Sequence, residues 1–106
     1  DRIKDVTNRS GEKIAAAEVE SCLSGLPEVE EAAVIALPDA VTGEAVVAVV
    51  VPRPGATLEP EQVQAHVAAR LASYKVPSRV VIRDERMPRN PAGKLLKGEL
   101  KAKYAN

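Results

Sequence analysis

The fold is decided by residues 29–52, which read VEEAAVIALPDAVTGEAVVAVVVP. Residues 32–37 are apolar at every position, which is typical of a strand that is covered on both faces. After turn residues 39–44, residues 45–51 are only alanine and valine, and β-branched residues such as valine favour strands. Two such runs joined by a short turn predict an antiparallel pair at the centre of a sheet.

Apolar residues recur at helical spacing in three other segments: residues 17–26, a segment that opens at residues 58–61 and runs to about residue 72, and one from about residue 95. Residues 79–83 are typical of a third strand, and Gly11 predicts the turn of a short N-terminal hairpin. This order predicts an α+β fold. We expect a small central three-stranded, mainly antiparallel sheet covered by helices, with an N-terminal hairpin and a C-terminal lysine loop and helix.

Composition narrows the class of protein. A chain of 106 residues with 45% hydrophobic content can bury one core, so we expect one domain. Fifteen Lys and Arg balance fifteen Asp and Glu, and two Tyr are the only aromatic residues, which argues against binding of nucleic acid. The single Cys22 permits no internal disulfide and suits a reducing compartment. Because the chain shows neither a leader pattern nor a long apolar run, we expect a cytoplasmic protein without a transmembrane segment.

Residues 87–94, MPRNPAGK, predict a loop that presents Lys94. Pro88 and Pro91 fix φ and cannot donate a backbone hydrogen bond, and Gly93 adopts φ values that other residues avoid. Lys94 is a compact positive charge on a long stem, which suits a phosphate or carboxylate oxygen. A lysine in an exposed loop is also commonly just solvated, and the pattern alone leaves both interpretations open.

Several motifs, taken together, carry a family resemblance. The chain has RIKD at residues 2–5, GEKI at 11–14 and EVE at 18–20, then SYKVP at 73–77 and NPAGK at 90–94. In this order they resemble the C-terminal domain of adenylate-forming enzymes, the superfamily of acyl- and aryl-CoA synthetases, peptide-synthetase adenylation domains and beetle luciferases. Separated motifs in the right order are more specific than any one alone. The resemblance covers essentially the whole chain.

The resemblance implies roles for five residues. Such enzymes use ATP to convert a carboxylic acid to an acyl-adenylate and pyrophosphate, and then transfer the acyl group to the thiol of coenzyme A. Lys94 matches the lysine that contacts the carboxylate and phosphate-side oxygens in the first step. Arg2 matches a nucleotide-ribose contact, and Lys13 matches a basic residue near the nucleotide phosphates. Lys4 matches the hinge about which the domain rotates, and Gly11 matches the point where the chain approaches the pantetheine arm of coenzyme A.

The resemblance also implies a partner. Residues 1–106 are expected to be a mobile C-terminal lid domain, without the N-terminal adenylation domain of the same protein. That N-terminal domain would bind the carboxylic acid, most of ATP and Mg²⁺, so no metal ligands are expected in this chain and the isolated chain is expected to be inactive. Coenzyme A is the expected co-substrate.

The wording of residues 8–14 and 73–77 looks more like that of fatty-acid or aromatic-acid CoA ligases than that of peptide-synthetase domains, and no feature supports a luciferase. Two alternatives stay open: an adenylation domain of a peptide synthetase, and a non-catalytic interaction module that docks on a partner or carrier protein.

Other chemistry-bearing residues have structural explanations. Glu18 and Glu20 lie early in a predicted helix, where acids suit the helix dipole. His66, within an amphipathic helix, is expected at the surface or rim. Cys22 lies on the apolar stripe of its helix and is expected in the core.

Overall fold

The structure is a computed structural model that describes residues 5–105. These residues form five strands and three α-helices, which confirms the predicted α+β class. Within them, no helix combines the length and the apolar character needed to span a bilayer. In chain order the elements are β1 (Val6–Arg9), β2 (Glu12–Ala15), α1 (Ala16–Ser24), β3 (Val29–Asp39), β4 (Gly43–Pro52), α2 (Pro60–Ala68), a 3₁₀ turn (Ser73–Lys75), β5 (Arg79–Ile82) and α3 (Lys97–Tyr104).

The described strands form one sheet in the order β2-β1-β4-β3, with β5 also paired to β4. β3 and β4 are antiparallel, as predicted, and the β1–β2 hairpin joins them where Arg9 pairs with Gly43. The central strands are therefore β3, β4 and β5, and the sheet is mainly antiparallel as expected. β5 is the exception because it runs parallel to β4. A parallel neighbour needs a crossover connection, and α2 lies in the segment between the two strands.

Both faces of β4 are buried, which explains its uninterrupted apolar sequence. Successive side chains of a strand point to opposite faces. Even-numbered residues of β4 therefore pack with α1 and α2, and odd-numbered residues pack with Leu100 of α3. The first cluster includes Val19, Leu23, Val34, Val46, Ala48, Val50, Val63 and Val67, and the second includes Ile35, Val47, Val49, Val51, Met87 and Leu100. Helices thus cover the central strands on both sides, as the sequence predicts.

Helix boundaries differ from the prediction in all three helices, and α1 spans Ala16–Ser24 in place of residues 17–26. α3 begins at Lys97 and not near residue 95, because Leu95 forms an antiparallel bridge with Arg89 and the Leu96 N–H donates to the Pro88 carbonyl at 2.9 Å. α2 ends at Ala68 and not near residue 72. The chain turns there, and Leu71 packs against the first core cluster from outside the helix. The Lys94 loop is consequently a small hairpin of its own.

Candidate functional site

The backbone of Lys94 is fixed by a turn that starts at Asn90. The Gly93 N–H donates to the Asn90 carbonyl at 2.9 Å, and Gly93 has a φ of +88°, which favours glycine. The Asn90 N–H donates to the Lys94 carbonyl at 2.9 Å, while the Lys94 N–H donates to Asn90 Oδ1 at 2.8 Å. One asparagine therefore binds Lys94 through both its backbone and its side chain.

A brace of side chains attaches this loop to β3. The Arg89 guanidinium donates to the Gly93 carbonyl at 3.0 Å and contacts Glu31 Oε2 at 3.3 Å. The other oxygen of Glu31 accepts the Met87 N–H at 3.0 Å, and Met87 is itself buried in the core. Both oxygens of the Glu31 carboxylate thus hold the segment that leads to Lys94.

The side chain of Lys94 is exposed, and within residues 5–105 its ammonium group has no hydrogen-bond or ion-pair partner. Two other lysines of the domain are paired: Lys75 Nζ lies 2.7 Å from Glu18 Oε1, and Lys97 Nζ lies 2.6 Å from Glu20 Oε2. Lys13 and Lys101 are exposed and, like Lys94, have no such partner within residues 5–105. Lys94 is therefore a free cation on a loop whose backbone is well fixed, and it can meet an anionic ligand without first breaking a contact in this domain.

The second predicted site, around Gly11, is a two-residue turn between β1 and β2. Ser10 and Gly11 both have positive φ, at 52° and 87°, and Arg9 pairs directly with Glu12 across the turn. Such turns match the twist of the strands they join. The Ser10 N–H donates to the Thr42 carbonyl at 2.7 Å, which ties the turn to the β3–β4 connection. No atom lies within 4 Å of a Cβ built at Gly11, so this backbone faces open space.

The remaining predicted residues divide into two groups. Lys13 lies on β2, opposite Asn8, with an exposed side chain on the same hairpin as Gly11. Arg2 and Lys4 lie outside the described residues, and Asp5 is the first residue that the structure places.

The structure separates Lys94 from Gly11 and Lys13. Glu31, which anchors the Lys94 loop, pairs with Val51 near one end of β4, whereas Arg9, beside the Gly11 turn, pairs with Gly43 at the other end. A strand rises ~3.3 Å per residue, so these two anchor points are about 26 Å apart. The two predicted sites are therefore at opposite ends of the sheet.

Comparisons with known proteins identify the family. A family model described as the AMP-binding enzyme C-terminal domain matches residues 18–94. The chain belongs to this family. It is 45% identical over 104 residues to a feruloyl-CoA synthase from an Amycolatopsis species, a match that covers 98% of this chain and 21% of the relative. It is 43% identical over 105 residues to the long-chain-fatty-acid–CoA ligase FadD13 of Mycobacterium tuberculosis, covering 99% of this chain and 20% of the relative.

The fold agrees with this assignment. The crystal structure of apo MatB from Rhodopseudomonas palustris matches with a TM-score of 0.92 at 39% identity, over 97% of this chain and 20% of that one. The chain thus spans about a fifth of the length of its relatives. It is a C-terminal domain of the kind found in adenylate-forming acyl- and aryl-CoA synthetases, and the family match ends at Lys94.

Other polar residues of this AMP-binding C-terminal domain have structural contacts. The ring of His66 on α2 lies with Nε2 2.8 Å from the Cys22 carbonyl of α1, so it links two helices. Burial raises the pKa of the Cys22 thiol, which favours the unreactive protonated form. Among residues 5–105, no three His, Cys, Asp or Glu side chains converge to hold a metal ion.

Sequence reasoning missed two residues of the site, Glu31 and Arg89. They lie 58 positions apart in the chain, and no local pattern connects residues at that distance. Arg89 lies within the predicted loop of residues 87–94, which is the only sequence signal that could have drawn attention to it.

Proposed function

We propose that the chain is the mobile C-terminal domain of a longer ATP-dependent carboxylic acid–CoA ligase, and that Lys94 is its catalytic lysine. The observation that carries the proposal is the unpaired, exposed ammonium of Lys94 on a loop whose backbone is fixed. This loop and the Gly11 turn lie at opposite ends of β4, which supports a separate role for each of them in one of the two half-reactions.

In the first half-reaction a carboxylate oxygen of the acid attacks the α-phosphorus of ATP, and pyrophosphate leaves. Negative charge builds on the oxygens around phosphorus in the transition state, and a preplaced ammonium group stabilises that charge without reorganisation. Lys94 supplies this group, and Arg2 contacts the ribose. Lys13 lies on the Gly11 hairpin at the other end of the sheet, so it comes near the nucleotide phosphate only after the domain has rotated. The exposed cations of the chain fit phosphate oxygens, whereas the ligands of Mg²⁺ are assigned to the N-terminal adenylation domain.

In the second half-reaction the thiol sulfur of coenzyme A attacks the acyl carbonyl, and AMP leaves. The Gly11 turn offers bare backbone with open space around it, which would let the pantetheine arm pass close to the chain. Because Lys94 and Gly11 are at opposite ends of the sheet, one active site meets them in turn when the domain rotates about Lys4. The isolated chain is inactive in this scheme, since each end needs the N-terminal domain as its counter-surface.

The proposed substrate is a fatty acid or an aromatic acid. The relatives named above as a feruloyl-CoA synthase and a long-chain-fatty-acid–CoA ligase support this choice. The absence of an internal disulfide, with only Cys22 present, agrees with a cytoplasmic location.

The test uses the full-length ligase with Lys94→Ala, and with Lys101→Ala as a matched control on the exposed side of α3. Pyrophosphate release with a panel of fatty and aromatic acids is expected to fall about 100- to 1000-fold, the usual effect of removing one group that stabilises developing charge. Thioester formation from presynthesised acyl-adenylate should stay within about threefold of the wild type, because Lys94 is not used in that step.

Lys101→Ala should change neither half-reaction. If both half-reactions survive Lys94→Ala, the catalytic role is wrong, and an interaction module that docks on a carrier protein becomes the better explanation.

A further inference from the structure

A second lysine of the same segment lies in a cluster of charges that the proposed chemistry does not use. Lys97 is the first residue of α3, three positions after Lys94. Its ammonium group contacts the carboxylates of Asp5 and Glu20, the latter at 2.6 Å. The side chains are mostly shielded, with exposed fractions of 20% for Lys97, 29% for Asp5 and 21% for Glu20. Shielding of this degree makes the contacts stronger than those of an open surface pair.

The position of Lys97 on its helix is electrostatically unfavourable. A cation at a helix N-terminus opposes the helix dipole, and α3 has no side-chain hydrogen bond at its N-cap. Local helix energetics therefore give no reason for a lysine here. The two carboxylates supply one, because they lie on other elements and offset the unfavourable position.

The cluster connects the two layers of the domain. Glu20 belongs to α1, which packs on one face of the sheet, and Lys97 belongs to α3, which packs on the other. Glu20 Oε2 also accepts the Val34 N–H of β3 at 2.9 Å. Because β4 is the only strand paired to β3 in the described residues, this N–H lies on the open edge of the sheet. The ion pair between Lys97 and Glu20 therefore links the two helical layers at that edge of the sheet.

Asp5 is attached to α1, the helix that carries Glu20. Its backbone carbonyl accepts the Ala16 N–H at 3.1 Å, at the start of α1. Asp5 immediately follows Lys4, so the contact from Lys97 joins the segment that carries Lys94 to the first residue after the proposed hinge.

We propose that Lys97 is a positioning residue that makes Asp5, Glu20 and the Lys94 loop one rigid unit, so that rotation at Lys4 sets the position of Lys94. This proposal rests on the function proposed above for Lys94 and Lys4. The Lys94 loop is then fixed on both sides: by the Glu31–Arg89 brace before it and by the Lys97 cluster after it. Such fixing matters because a displacement of 1 Å at a reacting group costs about 100-fold in rate.

The experiment compares Lys97→Met, Lys97→Arg and the control Lys101→Met in the full-length ligase. Lys97→Met keeps the length of the side chain and removes the charge. Its turnover number for pyrophosphate release is expected to fall about tenfold or more through misplacement of Lys94. Thioester formation from presynthesised acyl-adenylate should stay within about threefold. Lys97→Arg should recover most of the lost rate, because the guanidinium still reaches both carboxylates.

A merely structural role would give a different result. Equal loss in both half-reactions, or no loss of pyrophosphate release in a folded Lys97→Met protein, would overturn the proposal. If Lys97→Met does not fold, Glu20→Gln decides, because glutamine keeps an oxygen for the Val34 N–H but removes the charge that attracts Lys97. Selective loss of pyrophosphate release in Glu20→Gln supports the proposal, and unchanged release overturns it.

A second measurement is independent of chemistry. Hydrogen exchange of the Leu96 amide, which is bonded to the Pro88 carbonyl at 2.9 Å, reports opening of the loop. We expect about tenfold faster exchange of this amide in Lys97→Met, with no change in the core amides of β4. If the Leu96 amide exchanges faster in Lys97→Met but Lys94→Ala still forms acyl-adenylate at the normal rate, the catalytic role of Lys94 is rejected. The coupling between Lys97 and the Lys94 loop is then still supported. Unchanged exchange would reject the coupling itself.

Discussion

The Lys94 loop and the Ser10–Gly11 turn lie at opposite ends of β4 and differ in what holds them. The Lys94 loop is held by its own backbone hydrogen bonds and, in addition, by the side chains of Asn90 and Arg89. The Ser10–Gly11 turn itself is held by backbone, through two positive φ angles and the hydrogen bond from Ser10 to Thr42, while the guanidinium of the flanking Arg9 donates to the Tyr74 and Val76 carbonyls. The first presents a charged group and the second presents bare backbone. Side-chain changes near Lys94 should therefore alter rate with little effect on folding, whereas the turn should be sensitive mainly at Gly11.

The strongest test of this contrast is Gly11→Asn. Asparagine tolerates positive φ, so the turn should persist, but its side chain fills the open space beside the backbone. We expect thioester formation to fall about 100-fold, as for other displacements of about 1 Å in reacting groups, with pyrophosphate release unchanged.

Gly55→Asn is the matched control, since Gly55 has a similar φ of +81° and also has no atom within 4 Å of its Cβ position. Equal loss of thioester formation in both variants would mean that the Gly11 effect is not local to the coenzyme A path.

A smaller effect is expected from Asn90→Ala, which removes the acceptor of the Lys94 N–H. A net hydrogen bond contributes about 0.5–1.5 kcal/mol, so pyrophosphate release should fall roughly 3- to 10-fold while thioester formation is retained. Asn90→Ser keeps a side-chain oxygen as a possible acceptor without adding a charge beside Lys94, so it should lose less rate than Asn90→Ala. Steady-state kinetics of both half-reactions measure this difference. A larger loss with Ser than with Ala would indicate that the loop is not held through a side-chain oxygen at this position.

The smallest effect concerns Asp39, beside the Ser10–Gly11 turn. Backbone hydrogen bonds from Thr42 and then Val41 to its carboxylate lower its pKa below the ordinary value of 3.8. A carboxyl group with a lowered pKa in the folded state stabilises it above the unfolded pKa, and this contribution is lost as the pH falls through the folded pKa. The difference in melting temperature between wild type and Asp39→Ala should therefore be constant near neutral pH and shrink below about pH 3.8.

Thermal unfolding of both proteins from pH 7 to pH 2.5 measures this difference. Because Asp39 is only partly buried, only a slight change of melting temperature is expected, and neither half-reaction should change at neutral pH. A difference that grows with acidity would contradict the assignment of these hydrogen bonds.

Sequence reasoning succeeded where composition or a special residue decides the structure. Valine and alanine along residues 45–51 predicted a strand that is buried on both faces, and Pro91 and Gly93 predicted a loop before Lys94. The end of α2 was not predictable, because residues 69–72 contain no helix-stopping residue and the chain turns there to suit tertiary packing.

The side-chain contacts that hold the site could not be predicted from any sequence pattern. Arg89 contacts Glu31, which is 58 positions away in the sequence, and Lys97 contacts Asp5, which is 92 positions away. These contacts therefore exist only once the sheet and both helical layers have formed. The catalytic candidate could be inferred from local sequence and family resemblance, whereas the residues that fix its position could not. All five predicted site roles remain predictions, and Arg2 and Lys4 in addition lie outside the described residues.

The carboxylate of Glu20 on the edge of β3 has a consequence for the behaviour of the domain in solution. An open strand edge with free backbone N–H groups is a template on which another chain can add a strand, and charges at such an edge oppose aggregation. The carboxylate of Glu20 accepts a hydrogen bond from the Val34 N–H, and the ammonium of Lys97 lies beside that carboxylate. The same charges that join the two helical layers therefore disfavour edge-to-edge association through one of the most apolar strands of the chain.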